Sequence, residues 1–587
     1  MSGERFAPRV SRRAILRLLF GLAAPTALLL GVVGFEEYLQ RRPDLGRSAA
    51  DVLYYSLQLY VLDPTPLDGK GPYPVALEIA RFLAPAVTVY AIVDAVWTLC
   101  AERLRRFRLS RARGHCLVSG DGPAPRVLAE RLAAAGERVI TIGPAGEGAP
   151  LHRRHLSGDA TDGDLLLAAG LRGAKALYAF GSESAANARV ALTAQRLLPG
   201  RKARPFRTYM YVNDPDLCQV LRARRLGLGG SGGFRLDFFN PAQIAARVLL
   251  ETHPLNPGDR SFLVLGLNGF GRETVVELAR QHRLLEPAPG TPDGARRPVL
   301  TAVDRDARRI LDGLVRRYPI LRSWETVAID LAPEDFRLDE AVGDAPPDRT
   351  ILCHRDPDLA LHTALASVRL WRGAPGSIVV AVDQDTTYGR AFAARDGGAL
   401  LDGLAGRLVV HGVLDAACDP ARIGDDLIEQ LARAIHDHYV VNQTRRGRTR
   451  WDNPALVPWA RLPEDLRTAN REQALGISGK LAAVGATLAP HVGEGPPFCF
   501  EDEEVELLAR VEHVRWVEER GRAGWSFGPH RDDERRLHPQ MKDWAALDEE
   551  NREKDRDAVR ALPRILADAG FQIVRLPRTA PDTGGTA

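Results

Sequence analysis

The sequence predicts three architectures in series: a membrane α-hairpin, two α/β domains with doubly wound parallel sheets, and a mainly helical, duplicated C-terminal domain. Three observations support this fold class. Two long apolar stretches lie in the first hundred residues, two glycine-containing turns each join a strand to a helix, and one pattern occurs twice near the C-terminus. The predicted boundaries are 1–113 for the hairpin, 114–255 and 256–427 for the α/β domains, 428–577 for the duplicated domain and 578–587 for a disordered tail.

The overall composition is that of an ordinary globular protein. The 587 residues carry a net charge of +4, with 45% hydrophobic and 26% charged residues, which excludes a polyelectrolyte and bulk disorder. A mean hydropathy of −0.18 excludes a polytopic transporter. The six cysteines are scattered and form no CxxC pair, so neither a zinc ribbon nor a disulfide scaffold is predicted, and a reducing compartment fits best.

The two apolar stretches predict a pair of membrane-spanning helices. Leu18–Phe35 carries no charge and, at about 18 residues, is near the minimum length that crosses a bilayer. The second stretch, Val75–Cys100, carries three charges. Arginines precede the first stretch and follow the second, while the loop between them is more acidic, so both termini are expected in the cytoplasm. A signal peptide is the alternative for the first stretch, but a second span follows it.

The loop between the spans contains a third apolar element, residues 48–62, with a helical pattern and a Pro/Gly-rich segment after it. The order of span, short re-entrant helix and span is similar to the two-span pore module of the potassium-channel superfamily, over about residues 15–108. Where that family has its TVGYG-type filter, this chain reads YVLDPTPL, so ion selectivity is left open. The alternative is a two-span anchor.

Two acidic residues in this region are pore or gate candidates. Asp63 follows the short helix, and Asp94 lies inside the second span, where charge is costly unless it is functional or reaches the interface. Two-span pores need about four hairpins to enclose a conduit, so the resemblance implies a homotetramer.

The first α/β domain opens with the strand His115–Ser119, a turn containing Gly120 and Gly122, and a helix. Pro125 stands in place of the third glycine of a dinucleotide fingerprint. Gly143 ends the second strand, where a ribose-binding acid would lie. These departures predict poor dinucleotide binding by this turn.

A more specific run follows. The sequence GDATD at Gly158–Asp162 precedes the helix Leu165–Leu171, and a helix containing Asn187 and a strand ending in Val212–Asp214 come next. This run closely resembles the RCK (TrkA-N) domain, the cytoplasmic regulator of potassium channels and transporters. The resemblance implies that Asp159 lies beside a bound nucleotide, with NAD(H) or another adenine nucleotide as a regulatory ligand. A helix N-cap is the alternative role for Asp159.

The second α/β domain repeats the opening unit with different residues. Gly266, Asn268 and Gly271 form the turn after the strand Phe262–Leu265, and Asp304 ends the next strand. Backbone N–H groups at the start of the helix suit a phosphate, and an acid at the strand end suits a ribose hydroxyl. This turn is therefore expected to be the stronger nucleotide site. Hydride transfer is the competing interpretation, but no His/Lys acid–base set supports it, so no enzymatic activity or catalytic residue is predicted.

The C-terminal third contains an internal duplication. The equivalent segments are Leu431–Tyr439 and Leu508–Trp516, Pro454–Leu462 and Pro539–Leu547, and Asn470–Arg471 and Asp555–Arg556. Only the second copy adds a Gly-Trp…Arg-Asp segment, Gly524–Asp532, followed by His538. The complete pattern of the second copy resembles the ryanodine-receptor (RyR) repeat, and the first copy looks degenerate.

In a channel, this resemblance implies binding of an adenine nucleotide or a nucleotide-derived messenger. The indole rings of Trp516 and Trp525 provide surfaces on which a base can stack. The guanidinium groups of Arg531 and Arg556 can each bind a phosphate through two N–H groups. The alternatives are core packing for Trp516 and a structural ion pair between Arg531 and Asp532. No metal site is predicted, because no third ligand has suitable spacing. The candidate messenger-site residues are His513, Trp516, Trp525, Arg531, Asp532, His538 and Arg556.

The sequence therefore predicts a subunit of a ligand-gated ion channel of the cation or potassium class, with several passes through the plasma membrane or a bacterial inner membrane. The expected partners are the membrane, further copies of the chain and a nucleotide-derived small molecule, and no nucleic acid. The alternative is a non-conducting, membrane-anchored nucleotide sensor, and an NAD-dependent oxidoreductase ranks third.

Overall fold

A computed structural model describes most of the chain, which forms two compact units, residues 1–109 and 110–587. The predicted C-terminal tail and the first eleven residues lie outside the described part. The structure describes residues 12–576 apart from 43–44, 46–47, 62, 64, 68–71, 145–153, 199–205, 228–232, 286–296, 337–344, 355, 375, 383–407, 425, 452, 494–497 and 533.

Three helices build the first unit: α1 Arg12–Gln40, α2 Ala49–Gln58 and α3 Val75–Ser110. Within α1 and α3, the segments Leu16–Gln40 and Val75–Trp97 are long and apolar enough to cross a membrane. The two apolar stretches are therefore confirmed as helices of spanning length, and the helical pattern between them is confirmed as α2.

The short helix packs against the two long ones. Ser48 and Asp51 cap the start of α2 reciprocally, and Leu59–Val61 extends its end as a 3-10 turn. The α1 and α3 backbones approach closely at Gly34, where a Cβ would lie 2.5 Å from the Leu77 nitrogen. The apolar core shared by the three helices includes Ala27, Phe35, Leu39, Val52, Leu59, Leu77 and Ala84.

The first α/β domain has a six-stranded, all-parallel sheet of order β3-β2-β1-β4-β5-β6. This is the doubly wound order expected from the sequence. Its strands are β1 Cys116–Ser119, β2 Val139–Gly143, β3 His155–Ser157, β4 Ala176–Ala179, β5 Phe206–Tyr211 and β6 Phe234–Phe239. Its helices are α4 Pro123–Ala134, α5 Gly163–Ala168, α6 Ser184–Leu197, α7 Pro215–Gly227 and α8 Pro241–Thr252.

The second α/β domain repeats this topology, in the order β12-β11-β10-β7-β8-β9, again all parallel. Its strands are β7 Ser261–Leu265, β8 Val299–Asp304, β9 Glu325–Asp330, β10 Arg349–Leu352, β11 Ile378–Val382 and β12 Leu408–Gly412. Its helices are α9 Gly269–Leu285, α10 Ala307–Arg317, α11 Pro357–Ala366, α12 Val413–Ala417 and α13 Pro420–Gly424.

The two α/β domains share one apolar core. After the last strand of each sheet, the chain crosses to the other domain: α8 packs on α9, while α12 and α13 pack on α4. His411 at the end of β12 contacts the Ala245 carbonyl oxygen at 3.1 Å. The resulting cluster of buried residues extends from Cys116 to Ile423. The two domains are therefore consecutive in sequence but share one hydrophobic core.

The C-terminal domain is mainly helical and duplicated, as predicted. The first copy comprises α14 Asp426–Arg445, α15 Glu464–Leu475, α16 Ile477–Ala483 and β13 Ala486–Pro490. The second comprises α17 Asp502–Arg522, β14 Ser526–Phe527, β15 Leu537–His538, α18 Glu549–Asp568 and β16 Phe571–Arg575. The strands β13 and β16 pair antiparallel, so the two copies close around one core.

Candidate functional site

The first glycine turn is shaped by close backbone contacts. Gly120 has φ of +146°, and a Cβ there would lie 2.5 Å from the Phe180 carbonyl oxygen, so only glycine fits. Gly122 has φ of +80° and directly precedes α4. Asp121 accepts hydrogen bonds from the backbone N–H and the hydroxyl of Ser182, both at 2.9 Å. The backbone hydrogen bond lowers the pKa of Asp121, so a negative charge beside the turn disfavours a phosphate.

Asp159 lies in the exposed turn after β3. It accepts a hydrogen bond from the Thr161 N–H at 2.8 Å, which lowers its pKa. The alternative role as a helix N-cap is wrong, because Asp162 caps α5 by accepting from the Asp164 N–H at 2.9 Å.

The second glycine turn is also tight. Gly266 has φ of +94°, and a Cβ there would lie 2.7 Å from the Cys353 carbonyl oxygen. At Gly271 a Cβ would lie 2.2 Å from the Gly266 carbonyl oxygen. Both positions therefore require glycine for close approach of the backbone.

Side chains already satisfy two N–H groups of this second turn. Asn268 accepts from the Gly271 N–H at 2.9 Å and donates to the Cys353 carbonyl oxygen at 2.7 Å. Asp304 accepts from the Leu267 N–H at 2.7 Å. A phosphate bound here has to displace these contacts, whereas a ribose hydroxyl can still donate to the Asp304 carboxylate.

In the first unit, both acidic candidates have partners. Arg17 donates to the Asp94 carboxylate at 3.1 and 3.2 Å, which joins α1 to α3. Asp63 accepts from the backbone N–H of Thr65 at 3.0 Å and from its hydroxyl at 2.6 Å. The ion pair of Asp94 neutralises a charge in the second spanning segment, which favours the structural interpretation of this residue over a gate.

A network of charged residues holds the second copy of the C-terminal repeat together. Glu506 accepts from Trp544 Nε1 at 3.0 Å and from Arg556 Nε at 2.8 Å. Arg556 also donates to Glu549 at 2.5 Å and to Glu553 at 3.0 Å, and these bonds raise its pKa.

The first copy contains the same network. Glu429 accepts from Trp459 Nε1 at 2.8 Å and from Arg471 Nε at 2.6 Å. Because both copies use the arginine in this way, Arg556 belongs to the common scaffold. Three carboxylates around its guanidinium make the predicted phosphate contact unfavourable.

His513 is likewise a structural residue. It is 3% exposed, its Nε2 lies 2.8 Å from the Lys542 carbonyl oxygen, and its Nδ1 lies 3.4 Å from Asp555. Burial acts to lower its pKa, but Asp555 and the carbonyl outweigh burial, and the pKa is raised above 6.5.

The structure brings four of the predicted residues together. The His538 ring lies between two indoles, 5.0 Å from Trp516 and 6.2 Å from Trp525, and His513 stacks on Trp516 at 6.0 Å. Arg520 completes this aromatic cluster, with its guanidinium 6.0 Å from the Trp516 ring centroid and 5.3 Å from that of Trp525.

Arg520 was not among the residues predicted for this site. It follows Trp516 by four residues on α17, which places both on one helix face, and this spacing was the available signal. Its Nε is buried and has no hydrogen-bond partner among the described residues. A guanidinium held against two indoles is suited to an aromatic base or a phosphate.

The loop that carries Trp525 has a fixed shape. Gly524 adopts φ of +82°, β14 and β15 pair in parallel, and a Cβ at Gly528 would lie 2.7 Å from the Leu537 Cβ. Asp532 accepts from the Arg535 N–H at 2.9 Å and pairs with the Arg535 side chain at 3.8 Å. Asp532 thus closes the turn, and Arg531 is exposed beside it.

Among the residues that the structure describes, no group of three or more His, Cys, Asp or Glu side chains is placed to hold a metal ion.

Comparison with known proteins supports the two domain resemblances. Residues 116–228 match the TrkA-N domain model, and residues 501–575 match the RyR domain model. The RyR match covers the second copy of the repeat and not the first.

Solved structures of the GsuK channel are similar to parts of this chain. GsuK bound to ADP has 16% identity and a TM-score of 0.36, covering 70% of this chain and 98% of GsuK. GsuK bound to NAD has 14% identity and a TM-score of 0.36, covering 70% and 84%. Because these scores are low, the assignment depends on the domain matches. The chain carries two helices of membrane-spanning length, followed in sequence by a TrkA-N (RCK) domain and a RyR domain.

Proposed function

We propose that the protein is the subunit of a cation channel whose cytoplasmic RyR domain senses a nucleotide or a nucleotide-derived messenger. The aromatic cluster of Trp516, Trp525, His538 and Arg520 carries this proposal. It combines stacking surfaces with a cation, and its loop exists in only one of two otherwise equivalent repeats. A binding site is expected in the segment that one copy adds to the scaffold common to both.

In the proposed site, a base stacks on Trp525, and Arg520 and Arg531 receive the phosphate. Arg531 is exposed at the rim of the loop. Arg520 supplies a guanidinium whose Nε is buried with no hydrogen-bond partner in the described part of the chain. Arg556 and His513 hold the helices that present the loop.

In this proposal, the messenger gates the channel by changing the populations of its open and closed states. The helix α3 ends at Ser110, and only residues 111–115 separate it from β1 of the first α/β domain. Four hairpins around a conduit, with both termini cytoplasmic, would therefore be moved by a rearrangement of the α/β domains. A messenger can shift this equilibrium by no more than its differential affinity for the open and closed states.

The α/β domains are proposed as a second regulatory element that binds an adenine nucleotide such as NAD(H). The second turn is favoured, with Asp304 accepting from the ribose, because the charged Asp121 disfavours phosphate at the first. The alternative to conduction is a membrane-anchored sensor, and the replacement of a TVGYG-type filter by YVLDPTPL supports that alternative.

Binding to the detergent-purified chain tests the sensor. A panel containing ADP, NAD and ADP-ribose is screened by thermal shift, and the affinity of each hit is then measured for Trp525→Ala. Loss of a stacked aromatic costs about 1–3 kcal/mol, which is roughly a ten- to hundredfold loss of affinity.

Trp451→Ala is the matched control. Trp451 lies in the equivalent connection of the first copy, is 83% exposed, and has the Arg450 guanidinium 4.7 Å from its ring centroid. It should bind as tightly as the unmodified protein. Equal affinities for both variants, with a lower melting temperature for Trp525→Ala alone, would make Trp525 a packing residue.

A further inference from the structure

A cleft with a cavity volume of about 40 Å³ lies where the four modules of residues 110–587 meet. Its walls come from α8 of the first α/β domain, α9 of the second, α14 of the first repeat and the end of α18 of the second. A ligand bound here would contact all four modules at once.

The walls carry four arginines and three carboxylates, and most of these groups neutralise one another. Arg283 pairs with Asp568, and Arg280 lies 3.4 Å from Glu277. Arg433 pairs with Glu251 outside the cleft at 2.5 Å. These ion pairs account for three of the four guanidinium groups.

Arg247 is the exception. It is 8% exposed, and it forms no hydrogen bond or ion pair with any residue in the described part of the chain. Burial lowers its pKa to about 10, so it remains a cation at neutral pH, and Glu277 and Glu251 act on it only at longer range. The Nε of the neighbouring Arg433 is also buried without a hydrogen-bond partner among the described residues.

Asp437 on α14 also lines the cleft but adds little negative charge to balance Arg247. Burial raises its pKa to about 7, so a large fraction of it is protonated at neutral pH. A protonated carboxyl group can donate a hydrogen bond to an anion. An unpaired buried cation costs stability, and such costs are concentrated at functional sites.

We propose that this cleft binds a phosphate group, with the Arg247 guanidinium as its anchor and Arg433 Nε beside it. The phosphate is either a free oxyanion or the phosphate of a nucleotide. The site is distinct from the aromatic cluster, so its test is independent of the messenger site in the second repeat.

The melting temperature of the full-length chain in detergent tests this site, with chloride replaced by phosphate, pyrophosphate or ADP at equal ionic strength. The unmodified protein should be stabilised by phosphate in a saturable manner. Arg247→Leu should melt no lower than the unmodified protein without phosphate, since an unpaired buried charge is removed. Its phosphate affinity should fall at least about tenfold.

Arg222→Leu is the matched control, because Arg222 is also buried, at 2% exposed, but donates to the Phe238 carbonyl oxygen at 2.9 Å and to Gln243 at 2.7 Å. It should melt lower and keep the phosphate response. If ADP raises the melting temperature of Trp525→Ala but not that of Arg247→Leu, the ligand of the cleft is the phosphate of a nucleotide. If only inorganic phosphate raises the melting temperature, the ligand is a free oxyanion. An unchanged phosphate response in Arg247→Leu, or no response in the unmodified protein, overturns the proposal.

Discussion

In the first copy of the C-terminal repeat, the helix α14 packs against α9 of the second α/β domain, whereas in the second copy the equivalent helix α17 leads into the loop that carries Trp525. Both copies keep the histidine that contacts a carbonyl oxygen at 2.8 Å and the Trp–Glu–Arg network. The difference lies on the helix face and in the connection after it.

At the positions of Asp437 and His438 in the first copy, the second copy has Val514 and Arg515. Asp437 lines the cleft at the junction, where burial raises its pKa to about 7. Val514 is 54% exposed. The first copy has therefore become part of the interface with the α/β domains, while the second keeps an open face. A shared scaffold fixes the fold of both copies, and the residues outside this scaffold give each copy its own role.

Removing the buried ion pair between the two copies should cause the greatest loss of stability. Lys480 of α16 and Glu512 of α17 form an ion pair at 2.5 Å, with side chains 5% and 8% exposed. Lys480→Met removes one of two cationic partners of Glu512, which keeps Arg515 at 2.8 Å, and should cost about 1.5–3 kcal/mol in the free energy of unfolding. Urea unfolding monitored by tryptophan fluorescence measures this loss.

The control is Arg510→Ala, which removes an exposed partner of Glu506 and should cost at most about 1 kcal/mol. The double variant Lys480→Met/Glu512→Leu should recover much of the lost stability. Equal effects of Lys480→Met and Arg510→Ala would mean that the buried pair does not join the copies.

A smaller effect tests the equivalence of the two networks. Arg471→Leu and Arg556→Leu should each lower the free energy of unfolding by about 1 kcal/mol, since each removes a partly exposed arginine from the same Trp–Glu–Arg arrangement. Messenger affinity should not change in either variant, because both arginines belong to the common scaffold. If messenger affinity falls in Arg556→Leu but not in Arg471→Leu, Arg556 contacts the ligand.

The smallest effect concerns the equivalent histidines. Burial lowers the pKa of His436 below 6.5, while Asp555 holds that of His513 above 6.5. The contribution of His513 to stability is therefore present below pH 6.5 and lost as pH rises through its raised pKa. That of His436 is present above pH 6.5 and lost as pH falls through its lowered pKa. NMR titration of the two imidazoles should separate them in this order, and coincident titrations would contradict it.

Much of the fold was predictable because its signals are local. The spanning helices are long apolar runs, and β1 and β11, buried on both faces, read as continuous apolar segments. The edge strand β9, whose residues are mostly exposed, was not predicted, because a half-exposed strand has a weak apolar pattern.

The candidate site was predictable only in part. The aromatic residues follow from a dense local motif, and Arg520 was recoverable from helix spacing. The cleft at Arg247 was not predictable, because its walls come from residues 247 to 569 of four separate modules and no sequence period connects them. The scaffold role of Arg556 became visible only when Glu506, Glu549 and Glu553 were found around its guanidinium.

Potassium flux from liposomes that contain the full-length chain tests gating by the second repeat. The nucleotide that stabilises the purified protein is added to the unmodified chain, to Trp451→Ala and to Trp525→Ala. The proposed channel predicts that the nucleotide changes flux in the first two and not in Trp525→Ala. A nucleotide that binds but leaves the flux of the unmodified chain unchanged, or an equal response of Trp525→Ala, would contradict gating through the second repeat.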